Sequence, residues 1–589
     1  MTASSLPTQV PSAERLGAVT RELVREALAA LGDQMSLTLV RTSHSDTVKS
    51  AMDFSSALCD TRGRLIAQGL TLPNQLGSIP DAAASVLRNF EDDLDSGDMI
   101  VMNDPFDGGM HLPDIFLFKP VFKDGAMIGL IATVAHHTDV GGKIPGSMAP
   151  DCDEVYQEGL RIPAVKFYER GKPSRSVHAF IRANVRVPDI VMGDFGAQVA
   201  ACNVGEAGFL RLVETYGLAA FNEYVNDLMD YSERLTRTEL RAWPNGTYTN
   251  TDYIDDDGIR PEPIPISVTI TVDEDTVTVD FAGSSPQIPA ALNCTPSFMK
   301  ACTYCALRSL MRTDVPMNDG FFRPITVTAP PATIVNCVLP AATATRGLTG
   351  FRIIDAIFGA LAGALPDRVP AASDGGLTIV GIGGYRRDRE PFVLVELLSG
   401  SWGGRPDRDG IEGMPNLGAN ISNIPVEMVE VGYPLRIERY GFVPDTGGAG
   451  KYRGGLSILR DFRFLEDASL TVRSDRQKIL PFGLHGGREG TPAMNLLVKA
   501  NGEREVPPSK FLRHVKAGDL LQHVMAGGGG FGDPLERDPE AVLRDVREER
   551  LSAGYVLREY GVVLRDDLSL DREATVTERA RRCGQNGEA

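Results

Sequence analysis

Residues 111–137 read HLPDIFLFKPVFKDGAMIGLIATVAHH. Two apolar runs, 115–122 and 127–135, flank Lys123-Asp124-Gly125-Ala126. Asp-Gly is the preferred pair for a two-residue hairpin turn, because both central positions need φ > 0. With Asp124 and Gly125 as the turn, Lys123 faces Ala126 and His136 falls opposite Pro113, flanked by His111, Leu112 and Asp114. The register thus brings His111, Asp114 and His136 to one end of a hairpin, and a bulge shifts it by one residue. His136 and His137 are neighbours at a strand end and point opposite ways. One of them joins His111; the register does not decide which, and His136 is the preferred reading.

The chain has eight histidines in 589 residues, and three of them lie here. A lone His–Asp pair is usually an ordinary hydrogen bond. Two imidazoles and a carboxylate meeting at one point suit a divalent metal such as Zn, Mn or Fe. The glycine pairs 108–109 and 141–142 allow close backbone approach, and Asp104, Asp107 and Asp139 enrich the same loops in acceptors.

Working outward, 42% apolar residues over this length supply large cores and several domains. Alternating strands and periodic helices place the chain in the α+β class. The expected architecture is a multi-layer mixed fold with a β-hairpin metal site in the N-terminal part and a strand-rich C-terminal half. Residues 1–12 and 566–589 are polar without hydrophobic period and read as disordered tails. Between them the divisions are a metal-binding catalytic region (13–240), an α/β region (241–390), a strand-rich region (391–535) and a closing helix (536–565). The first helix, from Ala13 to about Val40, aligns Leu16, Val19, Leu23, Ala27 and Leu31 on one face. Strands are expected over 54–68 and 99–135, helices over 193–217 and 220–240, and a hairpin over 265–283 with a DED turn. PSFMKACTYCALRSLM and FRIIDAIFGALAGAL read as buried helices.

A net charge of −18 (60 basic against 78 acidic residues) without a basic run argues against nucleic acid as a partner. The stretch IIDAIFGALAGALP (353–366) is too short and interrupted to span a membrane. The first dozen residues lack the pattern of a secretory signal. Eight scattered cysteines make no disulfide framework, so a cytoplasmic location is expected. Cys302 and Cys305 have CxxC spacing inside a helix-like apolar run without a second pair, which favours core packing. GGAGKYRGG (447–455) and GGGGFGDP (527–534) look like phosphate loops, yet neither matches GxxxxGK[ST]. Gly359 and Gly363, four apart on a helix, indicate close packing.

The segments DFSSALCDTRGRLIAQG, NDPFDGGMHLPDI, HHTDVGG, GDFGAQVAACNVG, YPLRIERYGFVPDTGGAGKYRGG and GGGGFGDPLERDPEAVLRDV together resemble the hydantoinase B family. The match runs over about residues 14–565 in the family's order. The resemblance implies a metal held by His111, Asp114 and His136, the trio that the register assembles, with Asp53 as a further ligand. Many relatives carry an acidic residue three positions before that aspartate. Here the position is Ser50, so no such role carries over.

The resemblance also implies a hydantoinase A type ATPase subunit as partner, using ATP and Mg, in a hetero-oligomer. The activity implied is ATP-dependent opening of a cyclic amide such as a hydantoin, oxoproline or lactam ring. The partner phosphorylates the amide, and the metal site of this chain completes hydrolysis. His137 and Asp139 are candidate catalytic residues, as general base or as groups orienting the ligands. The alternatives are a metal subunit of an ATP-dependent ketone carboxylase, a non-catalytic scaffold for the ATPase chain, and a stand-alone metallohydrolase.

Overall fold

The computed structural model describes residues 17–69 and 72–586. Its centre is a seven-stranded sheet with strands β1 (Phe54–Cys59), β2 (Leu65–Gln68), β3 (Met99–Met102), β4 (Asp114–Lys123), β5 (Ala126–His136), β6 (Val165–Glu169) and β7 (Lys172–Pro173). Their order is β2-β1-β5-β4-β3-β6-β7, antiparallel throughout. The long β4–β5 hairpin sits in the middle, which explains its nearly unbroken apolar sequence: both faces are covered. Ile115, Leu117, Ile131 and Ala135 pack on one side against the helices Ala18–Thr42 and Pro188–Tyr216. Phe116, Phe118, Ala132 and Val134 enter a second core on the other side.

That second core is shared with a four-stranded sheet and two helices. The sheet holds β8 (Gly246–Ile254), β9 (Ile264–Asp273), β10 (Thr276–Asp280) and β11 (Ile325–Thr328), in the order β11-β10-β9-β8. The β9–β10 pair is the hairpin expected over 265–283. The helices Pro296–Ser309 and Gly347–Leu361 lie against each other, and the second covers β8. The C-terminal half is a sandwich. A four-stranded sheet runs Pro391–Leu398, Thr378–Tyr385, Ala468–Arg473, Lys510–Val515. A five-stranded one runs Leu435–Val443, Ser457–Phe464, Leu520–Val524, Met494–Val498, Arg504–Glu505. Val380, Leu394, Phe462, Leu470, Val472 and Leu521 fill the space between them. This is the mixed α+β, multi-layer architecture expected from the sequence.

Several boundaries differ from expectation. The division at 390/391 cuts a hairpin, because Thr378–Tyr385 pairs antiparallel with Pro391–Leu398. The single closing helix is two, Pro539–Arg547 and Ala553–Tyr560, broken between them at Glu549, whose φ is 59°. The segment expected to be an unstructured tail carries a helix over Arg572–Asn586. It is anchored where Thr575 is buried and Arg579 donates to the Tyr560 carbonyl. The other expected tail, 1–12, lies outside the described residues.

The first helix, Ala18–Thr42, buries Val24, Leu28, Leu31, Met35 and Leu39, while Val19 and Leu23 are exposed. Leu16 lies outside the described residues. The stripe runs one position round from the expected face because glycines on Pro188–Tyr216 receive it. A Cβ on Gly208 would lie 2.2 Å from Leu31, and one on Gly205 would lie 2.7 Å from Met35.

The two glycine-rich stretches that look like phosphate loops are packed against each other. Gly448 N–H donates to Gly528 O at 2.8 Å, and Tyr452 and Phe531 exchange backbone bonds. A Cβ on Gly454 would lie 1.9 Å from Gly528 O. Cys302 is buried in the second core, and Cys305 Sγ reaches the Leu417 carbonyl. Among the described residues no helix is long and apolar enough to cross a membrane.

Candidate metal centre

The hairpin turn has the geometry its sequence requires, with φ of 51° at Asp124 and 80° at Gly125. Lys123 faces Ala126 and Phe122 faces Met127. Between Val121 and Phe122 the register then slips, and Val121 faces Gly129. From there on every partner moves by one residue, so His136 lies opposite Asp114 rather than Pro113. The bulge improves the convergence, because directly paired residues share a face of the sheet. β1 docks alongside, pairing Phe54 with Ala135, and His136 N–H donates to the Asp53 carbonyl at 3.0 Å. Asp53 is thereby set beside His136 at the same strand end.

The loop before β4 is held as firmly. Asp114 N–H closes a turn onto His111 O at 3.2 Å, and His137 N–H donates to Pro113 O at 2.8 Å. Thr295 and Ser297, at the start of the Pro296–Ser309 helix, both donate hydroxyl hydrogens to Gly109 O. A Cβ on Gly108 would fall 2.6 Å from Asp81 O, and its φ is 95°, so this position requires glycine.

The result is a compact buried cluster. His111 Nε2 lies 3.3 Å from Asp114 Oδ2, and His136 Nδ1 lies 3.3 Å from Asp114 Oδ1 and 3.6 Å from Asp53 Oδ2. All four residues are at most 5% exposed. Ligand atoms of His111, Asp114 and His136 all fall within 4.8 Å of one another. Two atoms bound to one ion at about 2.1 Å in tetrahedral geometry are about 3.4 Å apart, which is the spacing found here. His111 Nδ1 donates to the Ala344 carbonyl at 3.0 Å, leaving Nε2 as a bare lone pair. That Nε2 and His136 Nε2 are buried without a hydrogen-bond partner. His111 Nε2 and His136 Nδ1 beside the carboxylates of Asp114 and Asp53 are the donor set of a divalent metal site, so the residues fit one.

The electrostatics agree. Burial, with Arg346 nearby, pushes the His111 imidazolium down to about 3, so the ring is neutral as a ligand must be. Burial alone would raise Asp114. The two imidazoles and the Arg346 guanidinium bonded to it hold its carboxyl well below the usual range instead. Burial pushes Asp53 up to about 6 against the pull of His136, with the charge of Asp114 adding to the rise.

Three residues at this centre carry no signal in the sequence. Gln75, on the short Pro73–Leu76 helix, donates from Nε2 to Asp53 Oδ1 at 2.8 Å and to Asp114 Oδ1 at 3.3 Å. Its Oε1 accepts from the Ser55 hydroxyl, which fixes the amide orientation. Arg346 stacks over Phe298 at 4.2 Å while it bonds Asp114. Glu158 accepts from Ala344 N–H at 2.7 Å and so holds the carbonyl that sets the tautomer of His111. Burial pushes this carboxyl up to about 8.

His137 and Asp139 are not brought into the cluster. His137 points to the helical side of the sheet, where Nε2 donates to Gln198 Oε1 at 3.0 Å and the ring lies 4.5 Å from Phe195. Asp139 accepts from Arg186 N–H at 2.7 Å and from Arg186 Nη1 at 2.9 Å, closing the 139–147 loop. Alternation along the strand end accounts for His137: adjacent residues take opposite faces, and His136 has the inner one.

Comparison with known proteins gives the same lineage by independent routes. Caprolactamase subunit beta of Pseudomonas jessenii is 32% identical over 578 residues, covering 95% of this chain and 99% of that one. A crystal structure of ATP-dependent caprolactamase from the same organism superposes with a TM-score of 0.90 at 30% identity, over 96% of this chain and 100% of the other. The nucleotide-free structure of acetone carboxylase superposes equally well, with a TM-score of 0.90 over 97% of this chain and 84% of that one. At 19% identity, that likeness is one of fold. The model of the hydantoinase B/oxoprolinase family matches residues 17–534, most of the length, and the chain belongs to that family.

Proposed function

We propose that this chain is the metal-binding subunit of an ATP-dependent cyclic amide hydrolase, opening a hydantoin, oxoproline or lactam ring activated by a hydantoinase A type partner. The observation that carries this reading is the pair of buried imidazoles converging on Asp114, with His111 Nε2 and His136 Nδ1 each 3.3 Å from one of its oxygens. His111, Asp114, His136 and Asp53 would hold one divalent ion, Zn, Mn or Fe, which supplies Lewis acidity and activates water near neutral pH. Gln75 keeps the two carboxylates turned inward. The chain Glu158–Ala344–His111 keeps one imidazole nitrogen free of protons. His137 and Asp139 act from behind the strand end as positioning groups, through Gln198 and Arg186.

An unstrained amide is a poor electrophile. ATP bound and used with Mg by the partner would convert its oxygen to a phosphoryl leaving group before the ring reaches this chain. Glycine-rich stretches spent on packing each other fit a chain that leaves nucleotide to another subunit. The test is reconstitution with the partner and a panel of cyclic amides. Ring opening that needs ATP, the divalent metal and His111 together supports the reading. Turnover without ATP refutes the coupling and points to a stand-alone hydrolase. Full turnover by a His111→Ala complex points to a scaffold. The ketone carboxylase reading is tested in the same assay by supplying a ketone and bicarbonate. Full coverage of the caprolactamase chain, against 84% of the carboxylase chain, favours amide hydrolysis.

A further inference from the structure

Five arginines are among the largest fully buried side chains, and four of them have carboxylate partners. Arg352 bonds Asp355 and Asp475, Arg476 bonds Asp252 and Asp355, Arg453 bonds Asp545, and Arg460 lies 3.4 Å from Glu396. Arg473 is different. It is 1% exposed, and none of its three guanidinium nitrogens has a hydrogen-bond partner. Burial, with no compensating charge, pushes the group down to about 9. A buried, uncompensated cation opposes folding, and proteins keep such groups chiefly where something else binds them.

Strand pairing shows where Arg473 points. It ends the Ala468–Arg473 strand and faces Ile379 on one side and Lys510 on the other. The neighbouring rung, Val472 with Val380 and Phe511, fills the sandwich core. Arg473 therefore projects from the opposite face, the one whose Ile379 touches both cores that flank the metal-bearing sheet.

The same end of this sheet is tied to the metal centre. Ile379 faces Leu397, and two residues on is Ser399, 1% exposed with a hydroxyl lacking any partner. Ser399 N–H donates to Asn423 Oδ1 at 2.7 Å. The adjacent Ser422 bonds the carbonyls of Ser50 and Ala51, just before Asp53. Farther back in that loop, Gly418 O accepts from Asn74 N–H, next to Gln75. Asp374 flanks this end too, its N–H bonded to Ser401 O. Burial holds its carboxyl well above the usual range.

We propose that Arg473, together with the Ser399 hydroxyl, recognises an oxyanion on the substrate, a phosphoryl or carboxylate group, as it enters beside the metal centre. The inference rests on the metal-centre reading above. A planar guanidinium suits either group, since both present paired oxygens.

The test uses the full-length chain without ATP, partner or ring substrate, with inorganic phosphate and acetate as separate probes. Thermal melting and calorimetric titration are run on wild type, Arg473→Met, Arg473→Lys and Ser399→Ala. Wild type is expected to bind one probe saturably: phosphate assigns the site to a phosphoryl group, acetate to a carboxylate. Without either anion, Arg473→Met is expected to melt no lower than wild type, because the substitution removes an unpaired charge at similar volume. It should lose the anion-dependent rise, and Ser399→Ala and Arg473→Lys should weaken binding at least about tenfold. The proposal is overturned if neither probe binds wild type, if Arg473→Met binds as well as wild type, or if it melts several degrees lower with no anion present. Since nothing in this assay turns over, anion binding with no ring opening sinks the hydrolase reading alone. Ring opening with unchanged anion binding in Arg473→Met sinks this one alone.

Discussion

Replacing Gln75 with leucine asks how much of the proposed metal site is made by groups that are not themselves candidate ligands. The side chain bridges two carboxylates, at 2.8 Å to Asp53 and 3.3 Å to Asp114, and accepts from Ser55. Gln75 is buried and leucine has a similar volume, so packing is nearly conserved. The loss is therefore polar. A hydrogen bond to an ionised group contributes about 1.5–3 kcal/mol. The longer of the two is the weaker, so about 2–3 kcal/mol of orientation is removed. Part of it returns as the carboxylates turn toward the ion, and comparable changes behind metal ligands weaken binding about 10–100-fold, or about 1.4–2.7 kcal/mol. Competition against a chelator of known affinity measures this directly on the full chain. A dissociation constant within threefold of wild type would refute the reasoning, since Asp53 and Asp114 would then be oriented without Gln75.

Glu158 makes stability depend on pH. Its carboxyl is raised to about 8, so the folded state keeps a proton that the unfolded chain releases above its ordinary value. The contribution is full at low pH and is lost as pH rises toward 8, a change of a few kcal/mol at most; Glu158→Gln should flatten that decline in urea melts at pH 5–8. His137→Ala should cost about 1–3 kcal/mol of stability, from the lost Gln198 bond and Phe195 contact, yet leave metal content unchanged. Loss of the ion would mean that the ligands depend on His137 for their placement. Gly208→Val should lower the urea midpoint by about 1–3 kcal/mol equivalent, because the new methyls meet Leu31; an unchanged midpoint would mean that the helix contact is slack.

The legible part of the site is the part encoded locally. Asp124-Gly125 announces its turn through backbone sterics, and the turn alone carries His136 to the end of β4 that bears His111 and Asp114. The one-residue bulge leaves no such mark. It arises where β5 must fit against Pro188–Tyr216, with Gly129 tight against Phe209. Arg346 and the Ala344 carbonyl reach the hairpin from 232 and 233 residues away in the chain. Nothing periodic surrounds them, and Gln75 lies in a four-residue helix. The face read for the first helix is the wrong one for a related reason: a second apolar stripe shares Leu31, and the glycines of the partner helix select it. Arg473 reads in sequence as an ordinary strand residue, and only its burial without a partner sets it apart.

The central claim is that His111, Asp114, His136 and Asp53 together hold one divalent ion. Metal analysis of the wild-type chain and of His111→Ala, purified side by side with the partner, tests it most directly. The account predicts about one divalent ion per wild-type chain and its loss in the variant, with both proteins folded. Equal metal in the two, or none in either, would contradict it.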